Sequence, residues 1–360
     1  MRKKPFLFSS LLLIIVFACK DKKAIENIDS ESDYENTVVF KIDERTEFFR
    51  TIFNIAAQDV LPDDLRPCQT EYIKQVNKQF LQYKNHPLIN WVYEDDNIGI
   101  DFSTIGLMFK DLETFEFDTL YTKELKYYGL NAKTLDSVKP FMTDFYKISN
   151  FKQFYKSNKE YYNRAISKIE KQVAEERLFN KVMNFYQIKE KGLELIVFVE
   201  LTNSANNKAI NFYDNYNPKK RAIILANHCE LYTEPGPSNE IMELDNSTRG
   251  VLYHEISHLF TTKLLNKHIG ELDKFESICK GCSDVKIIDK VDHLIVYPLQ
   301  GLMMKRFDNN SRGSDFYLTK CTDVRKDIYQ RLTKYRPEDK IPFEKTYMDC
   351  INLIKESATE

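Results

Sequence analysis

Apolar residues recur three and four positions apart along most of this chain, the period of a helix that buries one face. Phe48, Phe49, Ile52, Phe53, Ile55 and Ala56 set that period between Thr46 and Val60. Tyr72, Ile73, Val76, Phe80 and Leu81 repeat it between Glu71 and Tyr83, and Asn85-His86-Pro87 breaks it. The spacing predicts further helices over 105–112, 141–148 and 158–187. Two stretches differ. Thr37 to Ile42 is short and β-rich, and Leu193 to Leu201 reads as a strand with neighbours at Asn207–Tyr213 and Arg221–Ala226. A loop with Pro235-Gly236-Pro237 leads into a helix over Thr248–Lys267, and helices follow at about 287–307, 315–335 and 342–356. The expected class is α+β: mostly helical, with a small sheet beside the helix at 248–267.

That helix carries the chemistry. Asp245, Asn246 and Ser247 are N-cap candidates before it, and Gly270 is a natural stop after it. Val251, Leu252, Ile256, Leu259, Phe260, Leu264 and Leu265 make it largely buried. Within it lies His254-Glu255-Ile256-Ser257-His258, an H-E-x-x-H. Residues four apart share a helix face, so both imidazoles point the same way and can hold one metal ion. Two neutral imidazoles plus a carboxylate suit Zn2+ and leave a position for water. Glu255, one residue on, is placed to act as general base toward that water. The bland alternative is a core helix whose histidines are satisfied by hydrogen bonds. A buried glutamate between two buried histidines would then be costly.

The third ligand is less determined. A metzincin spacing would require histidine at 264, where this chain has Leu264. His268, Glu271, Asp273, Glu276, Asp292 and His293 remain. Asp292-His293 opens an otherwise apolar helix with Val291, Leu294, Ile295, Val296 and Leu299, where polar groups need a reason to be. Asp292 is the first choice, ahead of His293 and Glu276. Its alternative role is that of a helix N-terminal carboxylate favoured by the dipole. Tyr297, one turn beyond His293, is the candidate donor to a developing oxyanion. Tyr253 reads equally well as a core aromatic, and His228 ranks below Tyr297.

More of the chain carries a resemblance. Val38-Val-Phe-Lys-Ile-Asp-Glu-Arg-Thr-Glu47 with its following helix, Phe80, Tyr83-Lys-Asn-His-Pro87, the strand pair and His254–His258 together resemble an uncharacterised family of secreted bacterial zincin-like proteins, over about residues 38–310. The resemblance implies a gluzincin-type site whose third ligand is a carboxylate on a later helix. That family has glutamate where this chain has Asp292. The likeness to zincins also implies an edge strand beside the metal helix that binds an extended substrate as a further strand. Ala222–Ala226 is the best candidate for it, with a plain core strand as the alternative.

The remaining features bound the setting. Lysines and arginines (52) nearly balance acidic residues (54), without a basic stripe, so nucleic acid is not an expected partner. Met1-Arg-Lys-Lys4 followed by an apolar run from Phe6 to Ala18 reads as a signal peptide. Val16-Phe17-Ala18-Cys19 resembles a bacterial lipobox, which makes Cys19 the lipidated N-terminus. Residues 1–19 are then the signal, 20–37 a polar tether, 38–190 a helical N-terminal region and 191–360 the metal-binding region with its C-terminal helices. Lys20 after the cysteine points to the outer membrane. Six further cysteines, Cys68, Cys229, Cys279, Cys282, Cys321 and Cys350, permit disulfides in an oxidising compartment. Cys279-Lys-Gly-Cys282 is open to three readings: a redox pair, half of a zinc site, or members of separate bridges. Cys321 and Cys350 form another possible pair. The expected protein is an envelope-anchored zinc peptidase acting on peptides or proteins, and its alternative is a non-catalytic binding lipoprotein of the same fold. Cys19→Ser should yield an unlipidated, mislocalised chain. Mass spectrometry showing wild-type Cys19 unmodified would overturn the anchor.

Overall fold

Four strands form a mixed sheet in which sequence neighbours are not always spatial neighbours. In the computed structural model, residues 35–58, 70–94, 101–128, 130–203, 206–227, 240–272, 287–310 and 323–357 are described. The signal, Cys19, most of the tether, His228, Asp273, Glu276 and the cysteines at 68, 229, 279, 282 and 321 lie outside them. Residues 36–360 form one unit by backbone proximity. Strand β1 (Thr37–Lys41) lies parallel to β2 (Glu194–Glu200), with Phe40 opposite Val197. The short β3 (Lys208–Ala209) pairs antiparallel with β4 (Lys220–Ala226), which runs parallel to β2. The order is β1-β2-β4-β3. The two regions expected from sequence therefore share one sheet. The fold is α+β and mostly helical.

Strand β4 corrects one expectation. It is central, between β2 and β3, so Ala222–Ala226 is a core strand and not the edge. Its near-continuous apolar run is what burial on both faces demands. The edge is β3, and it is far shorter than Asn207–Tyr213. Asn207 Oδ1 accepts from the Ala226 N–H at 2.9 Å, so a side chain replaces the backbone partner there.

Helix α1 (Glu44–Ala57) starts on Asp43, whose side chain accepts from the Arg45 N–H at 3.0 Å. Burial opposes that carboxylate's charge, but Arg45 outweighs it and holds its pKa at about 2. Helices α2 (Glu71–Phe80), α3 (Pro87–Glu94) and α4 (Phe102–Leu107) surround α1. Pro87, expected as a breaker, opens α3, a position that needs no amide donor. Gly106 lets α4 cross α1 closely, since a Cβ there would meet the Arg45 carbonyl and the Phe49 ring at 3.0 Å. Helices α5 (Ala132–Ile148), α6 (Phe151–Ser157), α7 (Lys159–Glu175) and α8 (Leu178–Phe185) follow. The single helix expected over 158–187 is broken at Arg177, which adopts φ 51°.

Four positions of buried α1, Glu47, Arg50, Thr51 and Asn54, form a polar stripe at helical spacing. It faces the chain that leaves β2. The Leu201 N–H donates to Glu47 at 2.7 Å, Arg50 donates to Asn203 at 3.0 Å, and Asn54 donates to the Thr202 carbonyl at 2.5 Å. Asn203 in turn donates to Glu200 at 2.7 Å and to the Asn206 carbonyl at 2.9 Å. Backbone groups beyond the end of β2 are thus satisfied by α1, and the segment carrying β3 is held in place.

After the short α9 (Tyr213–Tyr216) come α10 (Asn246–Asn266), α11 (Ile269–Leu272), α12 (Ile287–Asp308), α13 (Val324–Thr333) and α14 (Phe343–Ser357). Helix α10 packs on β3, β4 and α12, and α12 packs on α13. Pro298 does not interrupt α12, which runs through it. Gly270 lies within α11 and is not the stop of α10. Cys350 is a buried free thiol whose pKa burial pushes up to about 12, and Cys321, its expected partner, lies outside the described residues. Among the described residues no helix is long and apolar enough to cross a membrane.

Glu47 makes a pH-dependent contribution. Burial, with Glu200 nearby, pushes its carboxyl from 4.5 up to about 8. The folded chain therefore holds a proton that the unfolded chain releases above 4.5. The stability from this group is present below that value and lost as pH rises through about 8. Glu47→Gln should flatten the decline in urea midpoint between those two pH values. Parallel declines in the variant and the wild type would contradict it.

Candidate metal centre

Helices α10 and α12 pack antiparallel, and polar side chains link them in register. Arg249 meets Asp308 at 3.4 Å near one end. His254 Nδ1 meets Gln300 Oε1 at 3.0 Å. His258 Nδ1 meets Asp292 Oδ2 at 2.8 Å, and Thr262 Oγ1 donates to the same oxygen at 2.7 Å. His254, His258 and Thr262 are four apart on α10. Asp292, His293, Tyr297 and Gln300 form the facing stripe of α12. Asp245 caps the start of α10 by accepting from the Thr248 N–H at 2.7 Å.

The ligating atoms of His254, His258 and His293 lie within 4.8 Å of one another. Among the described residues this is the group of histidine, cysteine and acidic side chains arranged to hold a metal ion. The donor chemistry fits one. Gln300 Oε1 and the Asp292 carboxylate are acceptors, so both Nδ1 atoms donate. The Nε2 atoms, 3.0 Å apart, then direct lone pairs at one another. Such an arrangement is repulsive unless a proton or a cation lies between them. Tetrahedral zinc–nitrogen bonds of about 2.0–2.1 Å need nitrogens about 3.4 Å apart, within reach by side-chain rotation.

Asp292 is not in this group. Its carboxylate sits at Nδ1 of His258, on the far side of the ring from Nε2, so the residue ahead of His293 orients a histidine and His293 fills the third place. Direction on α12 decides the difference, since adjacent residues lie about 100° apart around the helix. Asp292, 4% exposed, reaches the near nitrogen of His258, and His293 joins the other two imidazoles. His268 lies in the turn after α10, outside the group. Burial, then His258 and His293, hold the His254 pKa well below its ordinary value. Burial also opposes charge on His258, but Asp292 outweighs it and raises that pKa. Asp292 is lowered in return, since His258 and Thr262 outweigh its burial.

Glu255 is buried, and burial raises its pKa. His258, His293, Lys208 and the Ala209 amide of β3 favour its charged form. The edge strand therefore lies at the carboxylate. Tyr297 stands with its ring 4.7 Å from that of His254 and 5.4 Å from that of His293. The buried Arg325 guanidinium of α13 lies 4.6 Å over the Tyr297 ring. Tyr253 is a core aromatic: it packs on Phe307 and donates to Asp308 at 3.3 Å. His258, His293 and Tyr297 are only half-buried, so the group opens to solvent on their side.

Gln300, Thr262 and Arg325 escaped the reading of the sequence. Thr262 is four residues beyond His258, and Gln300 is three beyond Tyr297. The helical spacing that picked out the histidines therefore also marks these two. No family model, curated protein or solved structure matches the chain.

Zinc titration separates the roles of Asp292 and His293. Asp292→Asn should keep about one zinc per chain at an affinity about 10–100-fold weaker. His293→Ala should abolish tight binding, since two ligands hold zinc poorly. The opposite pattern would return the third ligand to Asp292.

Proposed function

We propose that this chain is a zinc-dependent hydrolase of peptide bonds, attached to the bacterial cell envelope through Cys19. The observation that carries the reading is the buried Glu255 lying close to His258 and His293 of the three-histidine group. Zinc held by His254, His258 and His293 would supply a Lewis acid and lower the pKa of a water. Glu255 takes the proton of the attacking water as general base. It then hands the proton to the leaving nitrogen. Tyr297, its ring next to those of His254 and His293, would donate to the developing oxyanion. β3 is the outer strand of the sheet on the Glu255 side; an extended peptide running beside it would have to displace the Ala209 amide from Glu255, and an outer strand in this place favours peptides over compact substrates. The zincin resemblance of the His254–His258 segment supports the same reading, with His293 in place of the gluzincin carboxylate.

Glu255→Gln preserves shape and removes the base. Hydrolysis of a mixed peptide library by the zinc-loaded chain should fall by about 10²–10⁴-fold, with zinc content unchanged. Full activity in the variant would remove Glu255 from the chemistry, and loss of zinc would make it a ligand.

A further inference from the structure

The hydrogen bonds around Asp292 continue past the histidine. Thr262 Oγ1 donates to Asp292 Oδ2 at 2.7 Å and accepts from Asn211 Nδ2 at 3.2 Å. Asn211 lies two residues beyond β3 (Lys208–Ala209). A continuous chain therefore runs from the end of the edge strand through Asn211, Thr262 and Asp292 to His258. A hydroxyl is the group that can serve its middle place, because it donates and accepts at once. The other oxygen of Asp292, Oδ1, accepts no hydrogen bond within 3.5 Å, although the Thr261 side chain stands near the carboxylate. Both donors thus converge on Oδ2 and fix the rotation of the carboxylate. His258 then has one ring orientation, with Nδ1 toward Asp292 and Nε2 toward His254.

We propose that Thr262 is a positioning residue for the metal centre, acting through Asp292 on His258, and that Asn211 ties this relay to the edge strand. The proposal rests on the metal reading of His254, His258 and His293. Outer partners of this kind set the direction and basicity of a ligating imidazole, and losing one typically costs about 10–100-fold in metal affinity. Thr262 also sits one turn beyond His258, so the relay is rooted on the helix whose histidine it orients.

The test uses the full chain and zinc alone, with affinity read by competition against a chromophoric chelator. Thr262→Val keeps shape and removes the hydroxyl, and its affinity should fall about 10-fold or more. Thr262→Ser should restore wild-type affinity. Thr262→Val added to Asp292→Asn should weaken binding no further, because both act through one carboxylate. Wild-type affinity in Thr262→Val, or full additivity in the double variant, would overturn the proposal. Where Thr262→Val fails to fold, Thr262→Ala takes its place under the same criteria. If the wild-type chain binds no zinc, the metal reading itself falls. The nitrogen-15 shifts of the His258 ring in metal-free protein then decide the relay alone. A Nδ1–H tautomer that is dominant in wild type and lost in Thr262→Val supports it, and an unchanged tautomer overturns it.

Discussion

The antiparallel contact between α10 and α12 is the constraint on which the rest of the site depends. Its apolar residues, among them Leu252, Ile256, Leu259, Val291, Ile295 and Leu299, are buried and would pack in more than one register. The polar cross-links remove that freedom. Arg249 with Asp308, His254 with Gln300, and His258 with Asp292 can all form in a single sliding position. A shift of one turn would leave His254, Gln300 and Asp292 buried without these partners, at a cost of about 1–3 kcal/mol apiece, while Arg249 would keep Glu176. Register is thus set by polar groups and adhesion by apolar ones, and the three imidazoles converge as a result.

A second constraint comes from far away in sequence. The stripe on α1 supplies hydrogen bonds to a segment some 150 residues later. That segment has left the sheet and would otherwise have unsatisfied backbone groups. Glu47, Arg50 and Asn54 hold it, and Asn203 passes the support on toward β3. The helical N-terminal region therefore takes part in holding the edge strand against α10.

Helix positions were legible wherever the apolar period was strong, as in α1, α10 and α12. The His254–His258 pair was legible for the same reason, since both residues lie on one helix and their spacing fixes their direction. Contacts between elements were not. Choosing between Asp292 and His293 requires knowing how α12 is rotated against α10, and adjacent residues on a helix differ by about 100°. Thus Asp292 meets Nδ1 of His258 and His293 joins the cluster. The central place of Ala222–Ala226 was legible in its near-continuous apolar run, the mark of burial on both faces, and the zincin resemblance drew the reading toward an edge instead. The break at Arg177 interrupts an apolar period that itself continues across it, so nothing in the hydrophobic pattern marks it.

His258 and His293 stand 35 positions apart (293 − 258) on two helices. An ion shared between them would close a loop of that length, as a covalent cross-link would. By the chain-entropy relation used for disulfides, restricting the unfolded chain this way is worth about 4 kcal/mol. Unlike a disulfide, the link is reversible, and its strength follows the free ion concentration by mass action. The helix pair is then a fold whose firmness depends on the medium around it. In a metal-poor surrounding, the clasp between α10 and α12 would rest on its hydrogen bonds and apolar contacts alone.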